Sequence, residues 1–342
     1  MPETLPAVKT ELLRSAFEKF KKVVALDPTN ADALYNLAQC MHSIVESQEI
    51  WVDDKSLLAE SLQILDQCQQ ALINATNLPE EDRPAIELWD ILLLRVDIHT
   101  SFITLLSSMD LAHHHYSQAK SLLESCVPKD QASTIQLHLK RAQLDSCCGQ
   151  VYCAFSQTLD VSFFDSSIAL LDGILSLNPL HLEALADKGE VLSDYADLLI
   201  QCAGDLEKAK KVYASAVEAI TSALTLSPNT VSLKLHLGSL HLSRIRAYNA
   251  FEDGKTRKVL AKNARIYYQS CLSEIPVGHS ERRYVLYHLL KACSYMDSAS
   301  ADCDKCYEQL QKEFGLIDFQ KWEDEDQIGG LAFGSDEWKP AA

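Results

Sequence analysis

The densest grouping of residues able to do chemistry in this chain is basic. Between Lys234 and Arg283 there are ten lysines and arginines against four acids, in a protein whose formal net charge is −17. Within that stretch Lys255, Lys258, Lys262 and Arg265 fall at i, i+3, i+7 and i+10, a spacing that lines them up as one stripe on a helix. Arg244 and Arg246 lie just upstream. A stripe of this sign attracts acidic matter: a partner's acidic surface, the chain's own acidic end, or the phosphates of RNA. RNA fits least well, because a molecule this acidic repels phosphate everywhere except at the stripe.

Other reactive residue types are present in the wrong arrangement. His113-His114-His115 is a run of neighbours, and side chains one and two apart on a helix point about 100° and 200° away from each other, so they do not share one ion. Cys303 and Cys306 form a lone CxxC; a structural zinc site needs a second pair at matching spacing, and none is present. The chain has no GxGxxG, no Walker loop, no GxSxG and no HExxH, so the expectation is a non-enzyme with no catalytic residue, no metal and no cofactor. Eleven cysteines are many, but Cys40, Cys68, Cys126, Cys202, Cys271 and Cys293 all fall in apolar helical stripes, where cysteine packs as a small hydrophobe. His236 and His241 sit among leucines and read as core or groove residues.

The elements that position these residues are helices. Apolar residues recurring at i, i+3, i+4 and i+7 predict about thirteen, over 7–26, 30–47, 55–77, 83–108, 110–126, 130–158, 162–177, 180–203, 205–226, 229–252, 255–275, 279–297 and 300–314, and no window alternates with the period of a strand. No apolar run approaches the roughly 18 residues of a membrane span. The opening Met1-Pro2-Glu3-Thr4-Leu5-Pro6 has neither the basic nor the apolar region of a secretory signal, which leads to the expectation of a nuclear or cytosolic protein.

Three junctions organise the array: Leu26-Asp27-Pro28, Leu177-Asn178-Pro179 and Leu226-Ser227-Pro228. Each ends one apolar-striped helix and precedes another, carrying Ala33-Leu34, Ala184-Leu185 or Ser232-Leu233 shortly after. Proline loses no N–H in the first turn of a new helix, and Asp, Asn or Ser before it is placed to cap that turn. On these junctions the chain resembles the tetratricopeptide repeat (TPR) superfamily, which implies an all-α, right-handed superhelix of antiparallel hairpins, over residues 1–314. Pro179 and Pro228 are 49 residues apart against a standard repeat of about 34, so the hairpins are overlong and irregular. The first helix, Val8 to Leu26, reads as the second helix of a hairpin. The lysine and asparagine clamp with which chaperone-binding TPR domains hold a carboxylate is lacking: Asn30 to Val45 holds Asn36 but no basic residue.

A narrower resemblance attaches to Leu177-Asn178-Pro179-Leu180-His181-Leu182-Glu183-Ala184-Leu185 and the long helix with Lys188-Gly189, which are similar to the fungal enhancer of translation termination family. That resemblance implies a nuclear, non-enzymatic adaptor linked to translation termination and oxygen-responsive regulation, binding a 2-oxoglutarate-dependent prolyl hydroxylase and holding no iron itself. The family's basic N-terminal segment has no counterpart in these residues.

After Phe314 the helical pattern stops. Residues 315–342 carry seven acids and two lysines together with Phe319, Trp322, Phe333 and Trp338. Acidic glycine-punctuated segments usually stay solvated; the aromatics add a capacity to dock, on the basic stripe or on a partner.

Overall fold

The computed structural model describes residues 6–46, 54–105, 108–247, 254–277, 280–296 and 301–315. Among them are thirteen α-helices and no strand, as the apolar periodicity predicted. The helices group into two compact units, Met1–Ile174 and Leu175–Ala342, a finer grouping than the single array over 1–314 read from the sequence. No described helix is long and apolar enough to cross a membrane.

The first unit holds α1 (Pro6–Leu26), α2 (Ala31–Glu46), α3 (Asp54–Ala75), α4 (Leu88–Leu105), α5 (Met109–Ser125), α6 (Gln131–Ser156) and most of α7 (Val161–Leu177). Successive helices pair, α2 with α3 and α4 with α5, while the first helices of the hairpins also pack on one another, α2 on α4 and α4 on α6. That double pattern is TPR-like. Leu34, Leu37, Met41, Leu58, Leu65, Cys68, Ile91 and Ile98 fill the space between α2, α3 and α4, each large side chain contributing about 2 kcal/mol by leaving water. A second layer, Leu93, Val96, Ile103, Ala112, Ala119, Leu123 and Leu144, joins α4, α5 and α6.

The second unit repeats the arrangement with α8 (Leu182–Leu198), α9 (Leu206–Leu226), α10 (Val231–Ala247), α11 (Gly254–Glu274), α12 (Ser280–Met296) and α13 (Ala301–Phe314). Again α8, α10 and α12, the first helices of their hairpins, touch in series, and α9, α11 and α13 back them. Gly189 lets α8 and α9 meet: a Cβ there would stand 2.1 Å from Cγ1 of Ile220. Two of the fully buried tyrosines, Tyr213 and Tyr268, sit in this unit.

The three junctions work differently from the expectation that proline opens the new helix. The backbone N–H of Asn30, His181 and Thr230 donates to the carbonyl of Asp27, Asn178 and Ser227 respectively, at 3.3, 3.1 and 3.2 Å. Each junction is therefore a four-residue turn with proline at its second position, where the ring's fixed φ is already correct. The helix then starts three residues after the proline, at Ala31, Leu182 and Val231. The caps shift accordingly. Asn30 Oδ1 accepts from the N–H of Ala33 at 2.9 Å, and His181 Nδ1 accepts from Ala184 at 3.2 Å, whereas Asp27 and Asn178 close the turn itself through the N–H groups of Thr29 and Leu180.

Two other boundaries differ. The helix predicted from residue 83 begins at Leu88, after a 3-10 turn at Glu80–Asp82. Arg83 precedes a proline and is extended at φ −75° and ψ 146°, as that position demands, and the Asp32 carboxylate then holds the following N–H groups of Ala85 and Ile86 at 3.0 and 3.1 Å. The α-helical geometry of α8 stops at Leu198 and widens into a π-turn over Leu199–Ala203, closed by Gly204 at φ 64°.

Candidate partner-binding surfaces

The basic stripe forms as spaced. Lys255, Lys258 and Lys262 are exposed on α11 and Arg265 is half-buried, on the side away from Leu260, Ala261, Ala264, Tyr268 and Cys271, which are buried in the core of the unit. Because α11 is the second helix of its hairpin, the stripe does not lie on the face built by α8, α10 and α12. Arg244 is half-buried on α10, a different helix, and the side chain of Arg246 lies outside the described residues. The local basic surplus is also smaller at the surface than in the sequence. Lys234 is 7% exposed and pairs with Glu274. Arg282 is 8% exposed and donates Nε to Glu313 at 2.8 Å and a terminal nitrogen to the carbonyls of Leu272 and Ile275 at 2.6 and 2.7 Å. Both are structural. The aromatic residues expected to dock, Phe319, Trp322, Phe333 and Trp338, lie outside the described residues.

In the first unit the first-helix face carries a pocket of about 280 Å³, lined by Gln39, His42, Ser43 and Glu46 of α2, Leu94, Asp97, Thr100 and Ser101 of α4, and Lys140 and Gln143 of α6. Lys140 pairs with Asp97 at 2.7 Å. His42 Nε2 lies 2.9 Å from the Ser101 hydroxyl, and Glu46 approaches that same nitrogen at 3.7 Å. A serine, a histidine and a glutamate here have the composition of a nucleophilic triad and not its geometry, since the acid must hold the nitrogen opposite the serine. The walls offer hydrogen-bonding groups of both kinds from three helices. Tyr35, on the same side of α2, has its phenol pushed up by burial and then by the charges of Asp90 and Asp97.

The second unit presents a line of carboxylates that the sequence reading passed over. Glu183, Asp187, Glu190, Asp194 and Asp197 follow one another at i, i+4, i+7, i+11 and i+14 along α8. Burial, then Glu190 and Asp197, raise the Asp194 carboxyl well above the usual carboxylate range. The Tyr213 hydroxyl donates to Asp197. His236 of α10 is drawn down by burial and up by Glu190. The signal was legible: the spacing is as regular as that of the basic stripe, but the acids were absorbed into the net charge.

The remaining candidates resolve into packing. His113 and His114 are exposed, while His115 turns inward, stacks on Phe102 at 4.4 Å and meets His99 with Nδ1 atoms 2.8 Å apart. Cys303 and Cys306 both enter the core between α11, α12 and α13. Of the six cysteines assigned to apolar stripes, five are buried and Cys202 is half-buried. Among the described residues no cluster of three or more His, Cys, Asp or Glu could hold a metal ion.

A tetratricopeptide repeat family model matches residues 19–67, which run from the middle of α1 through α2 into α3. No curated protein matches the chain. The crystal structure of BtubC (BKLC) from P. vanneervenii aligns over 99% of this chain and 98% of its own at 12% identity and a TM-score of 0.35. The repeat match over residues 19–67 and the observed helix pairing give the described residues a TPR-like helical-repeat architecture, one generally used as a non-enzymatic scaffold for binding folded proteins. None of these comparisons names a termination factor or a dioxygenase partner.

Proposed function

We propose that the chain is an adaptor that grips a protein partner on the faces formed by the first helices of its hairpins. The observation that carries this is the pocket of about 280 Å³ across α2, α4 and α6: three successive repeats converge polar side chains on one cleft, which is how a helical repeat reads a peptide segment. The exposed carboxylates on the first-helix sides, Glu46 in one unit and Glu183 and Glu190 of α8 in the other, favour a partner segment carrying lysine or arginine. Gln39 and Glu46 are exposed rim residues. Gln39→Arg with Glu46→Lys leaves the fold intact and weakens a basic partner at least about tenfold, the effect of introducing like charge at a rim.

The finer reading comes from the resemblance to the enhancer of translation termination family. On it the partner is a 2-oxoglutarate-dependent prolyl hydroxylase and the adaptor works in the nucleus, restraining or escorting that enzyme. Titration calorimetry of the full chain with such a purified hydroxylase tests it: binding that the Gln39→Arg, Glu46→Lys chain loses supports the assignment, and absence of binding removes the dioxygenase while leaving the adaptor reading to its own test. RNA is disfavoured, because two of the ten basic residues counted around the stripe are buried in ion pairs and the remainder face a molecule of net charge −17.

A further inference from the structure

The outer face of α11 is unusual for a solvated helix. Lys255, Lys258 and Lys262 are interleaved with Val259, 53% exposed, and Ile266, 52% exposed. From Lys255 to Ile266 these positions follow at i, i+3, i+4, i+7 and i+11, one continuous strip about 16 Å long. Among the described residues no ion pair neutralises the three lysines. A strip of cations with apolar side chains set between them is complementary to a segment that alternates carboxylates with large apolar groups.

This chain carries such a segment, and α13 delivers it to the right place. Arg282 ties Glu313, on the last turn of α13, to the carbonyls of Leu272 and Ile275 at the end of α11. The last turn of α13 therefore lies beside the C-terminal end of α11. Extended, residues 316–342 reach roughly 90 Å, about three times the length of α11, so reach is no obstacle. The segment holds seven acids against Lys321 and Lys339, with Phe319 and Trp322 ahead of the run Glu323-Asp324-Glu325-Asp326 and with Leu331, Phe333 and Trp338 beyond it.

We propose that residues 316–342 dock in cis along the outer face of α11, with Phe319 and Trp322 over Ile266 and the acidic run opposite Lys262 and Lys258. Tethering makes the contact intramolecular, so weak individual contacts suffice. The docked segment covers a basic strip on the second helix of its hairpin, α11, and not the face built by α8, α10 and α12. This inference stands independently of the partner reading above.

The test uses the full chain with benzoylphenylalanine replacing Trp322, irradiated at low protein concentration and mapped by peptide mass spectrometry. Docking predicts adducts within the strip from Lys255 to Gln269 in the same chain. Lys255→Glu, Lys258→Glu and Lys262→Glu together, all at exposed positions, cut the yield at least about tenfold, and raising salt on the otherwise unchanged protein does the same as the charges are screened. Adducts elsewhere in the chain, or adducts indifferent to both the charge reversal and salt, overturn the proposal. A mixture of isotopically heavy and light protein separates the remaining occupant: adducts formed only between chains show that a second copy, and not the chain's own end, covers α11.

Discussion

At the scale of single residues, the groups that looked reactive are held in packing and the groups that hold the repeats together are polar. Asp145 of α6 is 1% exposed and collects Tyr116 of α5 at 3.0 Å, Nε of Arg141 at 3.0 and 3.1 Å, and Ser166 of α7 at 2.8 Å. Removing one partner of a buried, hydrogen-bonded charge leaves the others stranded, so Asp145→Ala is expected to lower stability by about 3–5 kcal/mol, read as an earlier urea midpoint. His241 is 6% exposed and its proton affinity is pushed down to about 4 by burial and then by Arg244. Unfolded histidine protonates near 6.5, so this contribution to stability is complete above about pH 6.5 and is lost as pH falls toward 4. By pH 5 the loss is about 2 kcal/mol. His99 is displaced in the same direction, to about 4, by burial and then His115. The urea midpoint should drop from pH 7.5 to pH 5, and His241→Phe should flatten part of that drop; equal midpoints at the two pH values would show these rings solvated. The leucines around His241 marked it as a core or groove residue in the sequence, whereas Asp145 is one acid among 48, and only Arg141 of its three partners lies on its own helix, at i−4.

At the scale of helices, close approach is set by glycine. A Cβ at Gly189 would meet Ile220 at 2.1 Å, whereas one at Gly173 of α7 would meet nothing within 4 Å. Gly189→Ala should therefore destabilise by about 1–3 kcal/mol through overpacking, while Gly173→Ala should gain up to about 1 kcal/mol from helix propensity alone. Thermal unfolding of the two variants checks the sign of each; a stabilised Gly189→Ala would mean that α8 and α9 are not in contact there. Helix number and order were legible in the sequence because a 3.6-residue apolar stripe running for four or more turns admits little else. The ends were less legible. The prolines at 28, 179 and 228 signalled junctions, but proline is favoured both at the first position of a helix and at the second of a turn, so the residue type alone does not distinguish the two. The start of α4 moved for a different reason, since the bonds from Ala85 and Ile86 to Asp32 join residues more than 50 positions apart.

At the scale of the molecule, the account rests on faces and not on single groups. Net charge drew attention to the basic exception in an acidic chain, and the exception proved to lie on a second helix of its hairpin, while the regular line of carboxylates on α8 was hidden in the acidic majority. Recognising the pocket on α2, α4 and α6 requires knowing which helices stack on which, and spacing along one helix does not supply that. The measurement that tests the central claim most directly is quantitative affinity capture from cells of origin, with isotope-coded mass spectrometry comparing three full-length baits: the unaltered chain, the Gln39→Arg, Glu46→Lys chain, and the Lys255→Glu, Lys258→Glu, Lys262→Glu chain. An adaptor gripping its partner on the first-helix face predicts one or more proteins depleted at least about tenfold from the second bait and retained by the third. The same proteins captured equally by all three baits, or lost only from the third, would contradict it.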